Sequence, residues 1–198
     1  MNSILKKISL EALILAGGEG RRLGGIDKGL VAVNNKPLVE HVASPFTDNN
    51  IPVSLVANRS LNTYGQLFTH VLTDHDTSFL GPLAGIAAHA PQVSAEWVAI
   101  VACDLIFLPH NWFNLMLDQA LAGQCRLVCA QDAASGTVAL CAVAHRSTLA
   151  SAQTLLASGE HRWRAWLEHN RANTRQFPPL ELFNINTEDD LRYARCRF

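Results

Sequence analysis

The sequence predicts an α/β fold, a doubly wound, mostly parallel sheet with helices on both faces. Three observations predict it. Short apolar runs alternate with turns and helix-like stretches along the first half of the 198-residue chain. These runs are hydrophobic at nearly every position rather than at alternate ones, as strands buried on both faces require. A glycine-rich loop follows the first of them, at the place where such sheets collect their ligands.

Residues 10–16 form the first strand, too short for a good helix and ended by Gly17-Gly18; 53–57, 71–73 and 97–103 repeat the pattern. Between them Pro37 opens the stretch 37–42 and Pro82 opens 82–88, each read as a helix because the φ of proline is preset for a first helical position. In the second half, 127–130 and 137–143 read as two consecutive strands, which predicts a partly antiparallel edge there. Residues 148–157 read as a helix and 162–167 as an amphipathic one. No repeat, low-complexity tract or linker marks a boundary, so one domain over 1–198 is expected.

Composition narrows the function classes. The chain is 48% hydrophobic and 17% charged, where a soluble domain averages about 25% charged, so a packed core is expected and disorder is excluded. Sixteen Lys+Arg against 17 Asp+Glu give a formal charge of -1, leaving no excess cation for a nucleic-acid backbone or an anionic membrane. The longest apolar runs fall far short of the ~20 residues that span a bilayer. Lys6 and Lys7 follow the first apolar residues of the N-terminus, which is not the order of a secretory signal, and a cytoplasmic location is expected. Cys103, Cys125, Cys129, Cys141 and Cys196 contain no C-x-x-C pair and are expected to be reduced core residues.

The chemistry concentrates after the first strand. Six glycines, Gly17, Gly18, Gly20, Gly24, Gly25 and Gly29, share the loop with Arg21, Arg22 and Lys28, so many backbone N–H groups and three cations can approach one anion. Neither familiar phosphate motif fits: Leu23 stands where the dinucleotide pattern needs glycine, and Ile26 where the P-loop needs lysine. A polyphosphate is nevertheless the ligand this loop suits, the alternative being a mobile surface loop with scattered charge. At the end of the most apolar strand stands Asp104, a carboxylate placed to hold Mg²⁺ together with phosphate oxygens or, alternatively, to cap the following turn.

The run Leu15-Ala16-Gly17-Gly18, followed by Arg22-Leu23-Gly24-Gly25-x-Asp27-Lys28-Gly29-Leu30, resembles the signature of the nucleotidyltransferases, and in detail that of the molybdenum cofactor guanylyltransferases (molybdopterin-guanine dinucleotide biosynthesis protein A family). Asn58-Arg59, Asp74, Gly81-Pro82-Leu83-Ala84-Gly85, Cys103-Asp104 and Phe183-Asn184-Ile185-Asn186-Thr187 extend the similarity over nearly the whole chain. The resemblance implies a Rossmann-like nucleotidyltransferase fold, with a nucleotide-binding half at about 9–105 and an acceptor-binding half at about 106–198. It implies that Leu15, Ala16 and Gly17 contact the nucleotide through their backbone. Gly18, Arg22 and Lys28 would then close on the phosphates, Asn58 and Asp74 would hold the nucleoside, and Asp104 would bind magnesium. Lys28, Arg22 and Asp104 are the catalytic set it implies, and Asn184 and Asn186 the acceptor-binding residues.

The implied reaction moves GMP from GTP to the terminal phosphate of molybdenum-molybdopterin and releases pyrophosphate. Its partners are GTP and molybdopterin, with other cofactor-biosynthesis proteins and apo-molybdoenzymes beyond them. The alternatives are a cytidylyltransferase, or another nucleotidyltransferase with a different phosphorylated acceptor, because a phosphate loop does not read the base, and a non-catalytic nucleotide or pterin carrier. Two positions depart from the family pattern. Val56 stands two residues before Asn58-Arg59 where asparagine is usual, and Ser135-Gly136 precedes the later strand where His-Pro or Gln-Pro is usual. Finally, His161-Arg162-Trp163-Arg164 reads either as a solvated helix face or as a basic, aromatic grip for a large pterin.

Overall fold

The computed structural model describes residues 8–16, 27–74 and 81–197. The elements run β1 (Leu10–Leu15), a 3-10 turn at Lys28–Leu30, β2 (Ala32–Val33), β3 (Lys36–Pro37), α1 (Leu38–Thr47), β4 (Val53–Val56), α2 (Leu61–Leu67), β5 (His70–Leu72) and α3 (Pro82–His89). The chain continues through β6 (Trp97–Ala102), α4 (Trp112–Ala122), β7 (Leu127–Asp132), β8 (Val138–His145), α5 (Ala150–Ala157), α6 (Trp163–His169), β9 (Asn173–Phe177) and α7 (Glu188–Arg197).

Seven strands form one sheet in the order β5-β4-β1-β6-β8-β7-β9. β1 pairs in parallel with β4 on one side and β6 on the other, Ala12 standing opposite Val53 and Ala99. The chain first winds outward through β4 and β5 and then returns to the other side of β1, so the strand order reverses between β1 and β6. The crevice beyond the carboxyl ends of those two strands is the place where such a sheet binds ligands.

Side chains of successive strand residues alternate between two cores. Ala12 and Ile14 of β1, with Ala99 and Val101 of β6, face α1, α4 and α7; Leu13, Val98 and Ile100 face α3, α5 and α6. Both faces are covered, which is why these strands are apolar at nearly every position, Glu11 of β1 being the exception. The first core is anchored by aromatics, with the Phe46 ring 5.1 Å from Phe113 and 5.8 Å from Trp112. Fully burying such a side chain stabilises by about 1.5–3 kcal/mol.

The antiparallel character expected in the second half is carried by β8, which lies inside the sheet between β6 and β7 rather than at its rim. The rim is β9, which pairs in parallel with β7. Its sequence Asn173-Thr-Arg-Gln-Phe177 is polar because an edge strand keeps water on one side, and that polarity hides it from a search for apolar runs.

Pro37 does not open a helix from within. It closes a two-stranded hairpin, Ala32–Val33 against Lys36–Pro37, around Asn34 and Asn35 at φ 49° and 63°, and α1 begins at Leu38. Of the cysteines, Cys103, Cys129 and Cys141 are buried free thiols, whereas Cys125 is half-buried and Cys196 exposed. Burial pushes the Cys129 thiol up to about 11, so it stays protonated and unreactive. Among the described residues no helix is long and apolar enough to cross a membrane.

Candidate active site

Lys28 and Asp104 meet in the crevice between β1 and β6. The Lys28 ammonium donates to Asp104 Oδ2 and, at 2.8 Å, to Asn186 Oδ1. The Lys28 side chain is 18% and the Asp104 side chain 12% exposed. The second carboxylate oxygen, Asp104 Oδ1, is buried and accepts no hydrogen bond from the described residues. Three residues separated by up to 158 positions thus converge at one point.

Asn186 is held there by two devices. The Ile185 N–H donates to the Asp104 carbonyl at 3.3 Å, tying the segment to the end of β6. Thr187 and Asp190 then form a reciprocal cap on α7. The Asp190 N–H donates to Thr187 Oγ1 at 3.1 Å, and Asp190 Oδ2 accepts the N–H groups of Thr187 and Asn186, each at 2.8 Å. The Thr-x-x-Asp spacing is the sequence signal of that cap, and it announces both α7 and the fixed position of Asn186.

Asp27 anchors the turn that carries Lys28. Its carboxylate is buried, Oδ1 accepts a 2.6 Å hydrogen bond from the Tyr64 hydroxyl of α2, and Oδ2 lies 3.8 Å from Arg59 Nε. Desolvation, reinforced by the bond to Asp27, raises the Tyr64 phenol pKa, so it stays a donor. Gly29 makes the approach possible, since a Cβ at that position would stand 2.5 Å from Tyr64 Oη. Neither Asp27 nor Tyr64 is singled out by sequence reasoning: Asp27 passes as part of a loop motif, and nothing in the pattern around Tyr64 announces its helix.

On the far side of β1, Asn58 follows β4 and Asp74 follows β5. Asn58 Oδ1 accepts the Asp74 N–H at 3.2 Å, while Asn58 Nδ2 and Asp74 Oδ1 are buried without partners among the described residues. A donor and an acceptor therefore stand together, both unsatisfied. Leu15 and Ala16 are also in place, but the Ala16 N–H donates to Val56 O and the Leu15 carbonyl accepts from Cys103 N–H. Any backbone contact they make to a ligand must come from their other groups. Gly17, Gly18 and Arg22 lie outside the described residues. Val56 is a packing residue of the second core rather than a polar contact.

Beside Asp104 opens a cleft of about 350 Å³ whose lining includes Asp132, Thr137, Leu140, Leu182, Asn184 and Asn186. Asn184 and Asn186 thus share one cavity with the candidate metal ligand. The Trp163 indole N–H donates to the Ala139 carbonyl of the cleft wall at 2.9 Å, which brings the start of α6 next to it. Arg162 there is paired with Glu160, and the Trp163 ring stacks on Trp166 at 5.2 Å. The residues at Ser135-Gly136 form a tight turn in which Gly136, at φ +70°, donates its N–H to the Asp132 carbonyl at 2.9 Å. Proline could supply neither that φ nor that donor.

Residues 12–174 match the family described as the MobA-like NTP transferase domain. The chain is 32% identical over 182 residues to the molybdenum cofactor guanylyltransferase of Shewanella halifaxensis (strain HAW-EB4), covering 91% of this chain and 90% of that one. To the enzyme of the same name from Pasteurella multocida (strain Pm70) it is 33% identical over 187 residues, covering 93% and 98%. Among solved structures, molybdopterin-guanine dinucleotide biosynthesis protein A from Archaeoglobus fulgidus superposes with a TM-score of 0.75 at 21% identity, covering 94% of this chain and 97% of that one. A 4-diphosphocytidyl-2C-methyl-D-erythritol synthase from Anaerococcus prevotii does so with 0.78 at 11%, covering 100% and 99%. These two likenesses show the fold. With the family match over most of its length and relatives above 30% identity, this chain belongs to the MobA-like NTP transferases and is a nucleotidyltransferase.

Proposed function

We propose that the chain transfers GMP from GTP to the terminal phosphate of molybdenum-molybdopterin, forming the guanine dinucleotide cofactor and releasing pyrophosphate. The observation that carries this reading is the convergence of Lys28, Asp104 and Asn186 at the strand-order reversal, next to a cleft large enough for a second substrate. The chain is read as one domain, with the nucleotide half at about 9–105 and the acceptor half at about 106–198. The single sheet that draws strands from both halves supports this.

An oxygen of the acceptor phosphate attacks the α-phosphorus of GTP, and the bond from that phosphorus to the bridging oxygen of the β-phosphate breaks. A phosphate monoester has its second pKa near 6, so the nucleophile is ionised at neutral pH without a general base. Placement and charge neutralisation are then the work of the protein. Lys28 moves from Asp104 to the phosphates, where a close ion pair gains about 4 kcal/mol of Coulomb energy before desolvation is subtracted. Arg22, Gly17 and Gly18 close on the β- and γ-phosphates. Asn58 Nδ2 and Asp74 Oδ1 hold the guanosine, and the backbones of Leu15 and Ala16 line its path.

Nucleotidyltransferases of this kind use a divalent metal, here Mg²⁺. Asp104 suits it: a hard, buried carboxylate oxygen without a partner, beside the phosphates that would complete the coordination. Among the described residues no three His, Cys, Asp or Glu side chains converge, and an ion held by one carboxylate and substrate oxygens does not need them. When bound, the ion would offset charge on the phosphates. Location in the cytoplasm follows from a substrate set of GTP and an intracellular cofactor. Apo-molybdoenzymes and other proteins of cofactor assembly are the partners the product implies.

The test is pyrophosphate release from purified protein given Mg²⁺, molybdopterin and each NTP in turn. Release with GTP alone is expected. Turnover with CTP instead would overturn the base assignment, and no turnover with any nucleotide would make the chain a carrier.

A further inference from the structure

The cleft beside Asp104 contains a second carboxylate that the reaction above does not use. Asp132 ends β7, and β8 lies between β7 and β6, so it stands two strand spacings, roughly 10 Å, from the end of β6. It is one of the two charged residues in the cleft lining, the other being Asp104. No lysine, arginine or histidine among the described residues pairs with it.

The carboxylate is held rigidly. Its Oδ1 accepts the N–H groups of Ala134 and Ser135 at 2.8 and 2.7 Å, and its own backbone exchanges bonds with Thr137 and Gly136. Gln131 braces the same turn, donating to the Gly136 carbonyl at 2.8 Å and accepting from Gln176 at 2.6 Å. These bonds fix Oδ1 against the turn at the rim of the cleft that Asp132 lines. The N–H donors of Ser135 and Ala134 also hold the Asp132 pKa below the usual carboxylate range. The floor between the two acids is apolar, with Val138, Leu140 and Leu182.

A fixed anion at one end, an apolar floor and a phosphate-handling centre at the other describe a specific ligand. It is flat and carries a phosphate arm on one side and paired N–H donors on the other. We propose that Asp132 determines the acceptor specificity of this cleft, its carboxylate accepting the two N–H groups of a 2-amino-4-oxopyrimidine edge, the recognition edge of a pterin. This rests on the functional reading above and extends it to the residue that tells one fused-ring acceptor from another. A carboxylate facing two donors makes charge-assisted bonds, while a ring with a carbonyl in place of the amino group would bring oxygen against oxygen.

The probes are two fluorescent rings without a phosphate arm: pterin (2-amino-4-oxopteridine) and lumazine (2,4-dioxopteridine). Binding is followed by fluorescence in wild type, Asp132→Asn and Asp132→Ala. Wild type should favour pterin over lumazine by ~10- to 100-fold, the span of a lost hydrogen bond to a charged group. Asp132→Asn keeps the turn cap, because its carbonyl oxygen accepts the same N–H groups, and its thermal midpoint should match wild type. Its preference should nevertheless vanish or turn toward lumazine, since the amide can donate to the second carbonyl. In turnover the KM for molybdopterin should rise while that for GTP holds. Equal affinity of wild type for the two rings, or an unchanged preference in Asp132→Asn, overturns the assignment. If wild type releases no pyrophosphate yet discriminates the rings through Asp132, the functional reading falls and the cleft assignment stands.

Discussion

The Tyr64 hydroxyl donates a 2.6 Å hydrogen bond to Asp27 Oδ1, so the residue preceding Lys28 is fastened to helix α2. Gly29 lies against the same hydroxyl, with no room for a Cβ. Tyr64→Phe should therefore cost about 1–3 kcal/mol, the penalty for leaving a buried carboxylate short of a donor, and should raise the KM for GTP by loosening Lys28. Gly29→Ala should destabilise wild type but do less damage in a Tyr64→Phe background, because the clashing oxygen is gone. Thermal unfolding of the two single variants and the double variant measures this coupling; simple additivity would refute it.

Asp104→Asn should remove pyrophosphate release by at least ~10²-fold with the fold intact. The amide still accepts a bond from Lys28 but is a poor ligand for a hard cation. In wild type, a chelator should abolish turnover and added Mg²⁺ restore it. Near-normal turnover of Asp104→Asn at saturating Mg²⁺ would refute the metal role.

Thr187 Oγ1 accepts the Asp190 N–H to cap α7, and Asp190 in turn accepts the N–H of Asn186, whose side chain meets Lys28. Thr187→Ala should cost ~1 kcal/mol through the lost cap and lower kcat, while Thr187→Ser, which keeps the hydroxyl, should restore both. A Thr187→Ser variant as impaired as Thr187→Ala would show that the methyl group rather than the cap is what matters.

At the opposite end of β1 is a pair remote from the chemistry. His89 is 2% and Glu11 7% exposed, and His89 Nε2 lies 2.9 Å from Glu11 Oε1. Desolvation outweighs the attraction of Glu11 and lowers the pKa of His89 from its ordinary 6.5. The unfolded chain then binds the proton more readily than the folded one. The contribution of His89 to stability is full above pH 6.5 and is lost as pH falls through the depressed folded value. Urea midpoints at pH 7.5, 6.5 and 5.5 should decline in wild type and decline less in His89→Gln. Parallel declines would place the acid sensitivity elsewhere.

Lys28 and Asp104 were read from the residues as well as by resemblance, Asn58 and Asp74 by resemblance alone. The structure brings Lys28 to Asp104 and Asn58 to Asp74, because a parallel sheet brings the ends of its strands together whatever the residues between them. Asn184 and Asn186 were likewise recognisable only by resemblance, while Asp132 and Tyr64 carried no local signal. Their importance comes from partners far away in the chain: Tyr64 is 37 positions from Asp27, and Asp132 lines a cleft with Asp104 and Asn186.

Helices α4 and α7 show the same division at the level of the fold. The apolar residues Trp112, Phe113, Met116, Leu117 and Ala120 of α4 recur at helical spacing, and α7 is announced by its Thr-x-x-Asp cap. Those local signals are present in the sequence, although neither helix was among the expected elements. The interior place of β8 has no local signal at all, because a strand's neighbours depend on which distant segment pairs with it, and the polar β9 closes the sheet by pairing with β7.

The doubly wound class, the strands buried on both faces and the loop rich in glycine and cations are set by hydrophobic period and local backbone freedom, and so are written in the chain order. That one ammonium is shared by Asp104 and Asn186, that a tyrosine holds the turn before it, and that a fixed carboxylate ends the neighbouring cleft are settled by folding. Those relations are distances between residues far apart in the chain, and distance is set by packing.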